Sequence, residues 1–133
     1  MLAWDERMSV QVRELDDQHK KLIKMVGDLH QAMREGRGQQ ELSKILNGLI
    51  SYTLTHFAAE ERLMQTHGYP EYEAHRQIHE KMTQKVKALQ QEYQAGKRGL
   101  SLDVMKFLED WVAKHIMGTD KKYGPFLNSK GVQ

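Results

Sequence analysis

From Leu42 to His67 one side of the chain repeats at alternating steps of four and three residues: Leu42, Leu46, Leu49, Thr53, His56, Glu60, Leu63, His67. Such steps return a side chain to the same face of an α-helix, whereas a strand alternates at every second residue. The same spacing runs through Leu15, His19, Leu22, Val26, Leu29 and Met33, through Tyr72, His75, His79, Met82, Val86, Leu89 and Tyr93, and through Val104, Leu108, Trp111 and His115. Three corners separate these stretches: Gly36-Arg37-Gly38, Gly68-Tyr69-Pro70 and Gly96-Lys97-Arg98-Gly99. Helices are expected over residues 17–35, 40–67, 70–95 and 101–117. Asp16 would cap the first, Pro70 would sit in the first turn of the third, and Ser101 would cap the fourth. Amphipathic helices on short connections predict an all-α fold, an up-down-up-down four-helix bundle. An N-terminal extended arm (1–15) would precede the bundle (16–118), a C-terminal segment (119–133) would follow it, and residues 1–133 would form a single domain.

The seam is apolar except where it carries His19, His56, Glu60, His75, His79 and His115. Each buried imidazole or carboxylate costs several kcal/mol unless compensated, and a small core does not tolerate so many unpaired. Antiparallel neighbours would bring them into one layer. His19 opens the first helix, His56 and Glu60 close the second, His75 and His79 open the third, and His115 closes the fourth. Within each i, i+4 pair the side chains lie about 6 Å apart on one face, close enough to share a metal. The chain has no cysteine, so such a metal must be held by nitrogen and oxygen. Asp120 lies five residues beyond His115, about 140° round an ideal helix, and joins the layer only if the helix distorts or ends near Gly118. Distortion is expected. Softness of the donors does not choose among iron, manganese, zinc and copper.

The ordered pattern Asp16-Asp17-Gln18-His19, His56-x-x-x-Glu60, His75-x-x-x-His79 and His115-x-x-x-x-Asp120 resembles the hemerythrin family. The likeness covers nearly the whole chain, and extends to Trp4-Asp5, Phe57, Gly68-Tyr69, Trp111 and Tyr123. It implies an oxo- or hydroxo-bridged centre of two iron ions. His75, His79 and His115 would hold one iron and His19 and His56 the other, with Glu60 and Asp120 bridging both. With each iron six-coordinate, one position stays open, on the iron with two histidines, and an open position marks a reactive centre rather than a structural one. The implied function is reversible O2 binding for storage, buffering or delivery, rather than enzymatic turnover. A donor set rich in neutral imidazole disfavours the high-valent iron that carboxylate-rich bundles stabilise. Phe57, Trp111, Val112 and Ile116 would wall a dry O2 pocket, although ordinary core packing accounts for each one singly.

Two other functions share these residues. One is an oxygen or redox sensor acting through a separate signalling partner; the other is a diiron enzyme acting on peroxide or nitric oxide. An oxygen-consuming enzyme is a further candidate partner. The formal charge is +2, with both signs interleaved, which gives nucleic acid no basic stripe. No apolar run is long enough for membrane insertion, and a cytoplasmic protein is expected. His30 lies eleven residues past His19, about 16 Å along a helix, and is expected to be a packing or surface residue. His67 should cap the second helix beside Gly68. The methionines, among them Met25, Met33, Met64, Met82, Met105 and Met117, read as core filler, and Lys121, Lys122 and Lys130 as a solvated tail.

Overall fold

The computed structural model describes residues 3–37, 39–95 and 102–133. It is the expected four-helix bundle: α1 (Arg13–Arg34), α2 (Gln39–His67), α3 (Tyr72–Gln94) and α4 (Leu102–Lys114). α2 packs on α1 and α3, and α4 returns against α1. Among the described residues there is no strand, and no helix is long and apolar enough to cross a membrane.

The bundle does not stop at residue 118. α4 runs without a break into a π-helical turn (His115–Thr119), a 3-10 turn (Asp120–Lys122) and a final helix, α5 (Tyr123–Ser129). The Asp120 N–H donates to the carbonyl of His115, five residues back, which is the bond that defines a π turn. Residues five apart are thereby stacked, and the distortion expected near Gly118 is this turn.

At the other end of the sequence, α1 begins three residues before Asp16 and has no side-chain cap. Asp16 is therefore not an N-cap. Its carboxylate instead accepts from Ser9 Oγ at 2.6 Å and from the Val10 N–H at 2.8 Å, because the arm folds back over the first turn and supplies donors there. The arm is fixed at its far side as well. Lys121 Nζ donates to the Ser9 carbonyl at 3.0 Å and Asn128 Nδ2 to the Gln11 carbonyl at 2.9 Å, with Gln11 held at φ +58°. Lys121 is thus a tether rather than a solvated residue, and Lys130 lies 5.5 Å from the Phe126 ring. Lys122 is exposed as expected.

Gly68 ends α2. At φ +72° it lets its own N–H reach the Gln65 carbonyl and the Tyr69 N–H reach the Met64 carbonyl, capping the helix whose last residue is His67. Pro70 falls in the turn that follows and not in α3, which starts at Tyr72, because the Tyr72 N–H closes that turn on the Tyr69 carbonyl. Ser101 and the Gly96 to Gly99 corner lie outside the described residues, as does the side chain of Val104.

Two apolar clusters fill the interior. The larger contains Leu22, Val26, Ile50, Phe57, Met82, Val112 and Ile116; the smaller contains Val10, Val12, Leu15, Met64, Tyr69, Tyr123 and Leu127. Met64, fully buried one helical turn past Glu60, takes the inward place that the seam assigned to Leu63. Along the chain the polar seam residues fall where the two clusters meet: His19 between Leu15 and Leu22, Glu60 between Phe57 and Met64, and Asp120 between Ile116 and Tyr123. The polar layer therefore has apolar packing above and below it.

Candidate metal centre

His19, His56, Glu60, His75, His79, His115 and Asp120 are all buried, none more than 5% exposed. They arrive from four directions. α1 brings His19, α2 brings His56 and Glu60 one turn apart, α3 brings His75 and His79 one turn apart, and the π turn brings His115 and Asp120 into register.

Their inward atoms form two overlapping groups. One atom each from Glu60, His75, His79, His115 and Asp120 lie within 4.8 Å of one another, and so do atoms from His19, His56, Glu60 and Asp120. Both carboxylates belong to both groups. Asp120 divides its oxygens between them: Oδ1 is 2.9 Å from His115 Nε2 and 3.1 Å from His75 Nε2, while Oδ2 is 2.9 Å from His19 Nε2. Glu60 Oε1 lies 2.7 Å from His56 Nε2 and 3.7 Å from His79 Nε2, and Oε2 lies 3.8 Å from His75 Nε2.

These residues pass a test of fit for a metal. His19 Nε2, His56 Nε2, His75 Nε2 and all four carboxylate oxygens are buried with no hydrogen-bond partner, although they are close to one another. Short separations without hydrogen-bond alignment mean that the lone pairs converge on common points rather than on each other. His79 Nε2 and His115 Nε2 are 3.1 Å apart. Two imidazole donors bound at about 2.1 Å to one ion sit roughly 3 Å apart, so this close pair, within hydrogen-bond distance here, also fits a shared cation.

The electrostatics agree. Burial and the neighbouring His115 and His75 push His79 down to about 2, so this ring is neutral with a lone pair to offer. Burial also pulls on His56 and His115, but the facing Glu60 and Asp120 outweigh it and raise both. Asp120 stays well below the usual carboxylate range, since the surrounding His115, His19 and His75 outweigh its burial. Without a cation, protons on histidines balance the buried carboxylates; with one, those protons are displaced.

The sequence did not single out the residues that hold the rings from behind. Gln18 Oε1 is 2.6 Å from His56 Nδ1, and Glu61 Oε2 is 3.1 Å from His79 Nδ1. Each sits beside a seam residue and off the seam itself, so periodicity carries no sign of it. Tyr123 is fully buried within 5.6 Å of His75, and burial together with Glu60 and Asp120 pushes its hydroxyl well above its ordinary range. His30 is more than a packing residue: its Nδ1 lies 2.6 Å from Glu109 Oε1, joining α1 to α4.

The aromatic walls lie against the same rings. Phe57 stacks on His79 with centroids 3.9 Å apart, and Trp111 stacks on His115 at 4.6 Å. Trp111 and Val112 line an apolar cavity of about 40 Å³ that extends into the larger cluster beside Leu49, Met82 and Val86. Phe57 and Ile116 are buried but do not line that cavity.

Fold and site together define a four-helix bundle with two adjoining groups of donors, each able to hold a cation, that share their carboxylates. The family profile described as hemerythrin HHE cation binding domain matches residues 10–127, and the chain belongs to the hemerythrin family. It is 39% identical over 114 residues to a bacteriohemerythrin of Methylococcus capsulatus, covering 86% of each chain. It is 30% identical over 120 residues to a myohemerythrin of Theromyzon tessulatum, covering 90% of this chain and 88% of that one. A solved wild-type hemerythrin superposes with a TM-score of 0.91 at 36% identity, over 96% of this chain and 98% of the other.

Proposed function

We propose that the chain is a diiron protein that binds O2 reversibly. The observation that carries this is the pair of buried donor groups sharing Glu60 and Asp120, the arrangement that two bridged ions require and one ion does not. In this assignment His75, His79 and His115 hold one iron, His19 and His56 hold the other, and Glu60 and Asp120 join them. A diiron pair bound there would supply a coordination place for O2 and the electrons that hold it.

The protein's own residues supply the setting. Imidazoles, neutral donors when metal is bound, are five of the seven donor residues, so the iron would be less electron-rich than in carboxylate-dominated sites, which favours binding over O–O cleavage. Apolar packing on both sides of the layer keeps out the water that would carry away reactive oxygen species. Trp111 and Val112, which line the cavity, would wall the oxygen pocket in this reading, with the buried Phe57 and Ile116 packed outside the cavity. Phe57 and Trp111 also hold His79 and His115 in place by stacking on them.

Metal content with an optical spectrum tests this. Protein isolated from its own cells should carry two irons per chain, and its visible spectrum should change on exposure to air after anaerobic reduction and return when O2 is withdrawn. Zinc in place of iron, or no spectral response to oxygen, would defeat the proposal. Release of O2 faster than oxidation of the centre separates a carrier from an enzyme.

A further inference from the structure

We infer that Glu61 is a positioning residue: its carboxylate fixes the proton of His79 on Nδ1 and makes that ring a stronger donor than a neutral acceptor in the same place would. This rests on the diiron assignment above. The two rings are held differently. His56 Nδ1 faces the amide oxygen of Gln18, a neutral acceptor, whereas His79 Nδ1 faces a carboxylate at 3.1 Å. A carboxylate accepts only, so the shared proton belongs to the imidazole and the Nε2 lone pair is left for the metal.

Two further observations separate Glu61 from an ordinary surface glutamate. It is only 25% exposed, at the edge of a groove of about 380 Å³ that the buried His79 and Phe57 also line. The Arg76 guanidinium acts on Glu61 through its charge, but its hydrogen bonds go to Glu73 and Glu80, one turn away on either side along α3. Glu61 is thus directed to His79. With Phe57 stacked on the ring at an interplanar angle of 5°, both the face and the edge of His79 are fixed.

The consequence is an asymmetric centre. An anionic partner behind an imidazole raises its donor strength, which stabilises ferric iron more than ferrous at the three-histidine position. Replacing Glu61 by Gln keeps an acceptor of the same shape and removes the charge; replacing it by Ala removes both.

The test uses the full chain as wild type, Glu61→Gln and Glu61→Ala, after helical content and metal-free melting show that each folds. Anaerobic cobalt(II) titration should give wild-type affinity for Glu61→Gln within a few-fold and a loss of about 10- to 100-fold for Glu61→Ala. Redox titration of the iron form should show a higher midpoint potential in both variants, by about 59 mV for each tenfold loss of ferric preference. A merely structural role would leave the potential of Glu61→Gln unchanged. Unaltered cobalt affinity in Glu61→Ala, or an unaltered potential in Glu61→Gln, overturns the inference. A wild-type chain that takes up fewer than two irons overturns the diiron assignment itself, and this inference with it.

Discussion

Gly124, near the start of α5, sits under the arm. A methyl group added there would lie 2.8 Å from the Val10 carbonyl oxygen and 3.5 Å from its carbon and Cα. The obstacle is backbone, and that stretch of arm is anchored by Asp16, by Lys121 and by Asn128, so it cannot yield without losing hydrogen bonds. Overpacking of this kind costs about 1–3 kcal/mol, and the helical preference of Ala over Gly returns up to about 1 kcal/mol. Gly124→Ala should therefore destabilise by about 1–2 kcal/mol, or roughly 3–10 °C in melting temperature for a chain of this size. Gly118 provides the control. An added methyl there meets nothing within 4 Å, and its φ is not positive, so Gly118→Ala should be neutral or stabilising by up to about 1 kcal/mol. Calorimetry of the two metal-free variants decides the matter. Equal or raised stability in Gly124→Ala would refute the claim that the arm is pinned to α5 at this contact.

The shared carboxylates predict a stoichiometry. His19→Ala should keep one metal per chain, whereas Glu60→Ala or Asp120→Ala should weaken both positions, as measured by elemental analysis after desalting. Metal retention should also stabilise the fold: at a free-metal level a thousandfold above Kd the gain is about 4 kcal/mol, so chelation should lower the melting temperature, and an unchanged transition would count against a metal in the layer. Uptake should weaken in acid. His56 and His115 are raised, so they hold their protons below the raised values, and cobalt(II) affinity should begin to fall while the pH is still above the ordinary imidazole value of about 6.5, with proton release on binding measurable in weak buffer. Finally, Glu109→Gln should loosen α4 against α1 by about 1 kcal/mol through its contact with His30, seen as a lower denaturant midpoint.

The fold and the buried layer were legible because they depend on period. His56 with Glu60 and His75 with His79 are spaced for one helical face, and the geometry of neighbouring helices does the rest. Asp120 was legible as a misfit, since five residues do not make a turn of α-helix, and the π turn is the physical answer. Contacts that depend on where the arm lies were not legible. Asp16 resembles a cap, but two donors of the arm occupy its carboxylate; Lys121 resembles a solvated residue, but the Ser9 carbonyl lies within its reach. Gln18 and Glu61 were missed for a different reason. A residue that supports a ring from behind needs no seam position, only adjacency to one, and polar residues beside a seam are too common to signify.

The extra residue in the turn from His115 to Thr119 governs more than one carboxylate. Tyr123 and Leu127 reach the interior only because the helix has already slipped in phase before Asp120. Straightening the turn into regular α-helix with all its residues kept would turn everything after it by about 100°, carrying Asp120 out of the layer and rotating the buried side of α5 toward solvent. The bridging carboxylate and the closing of the bundle's lower end are thus written into a single insertion, and the chain cannot relax the one without unseating the other.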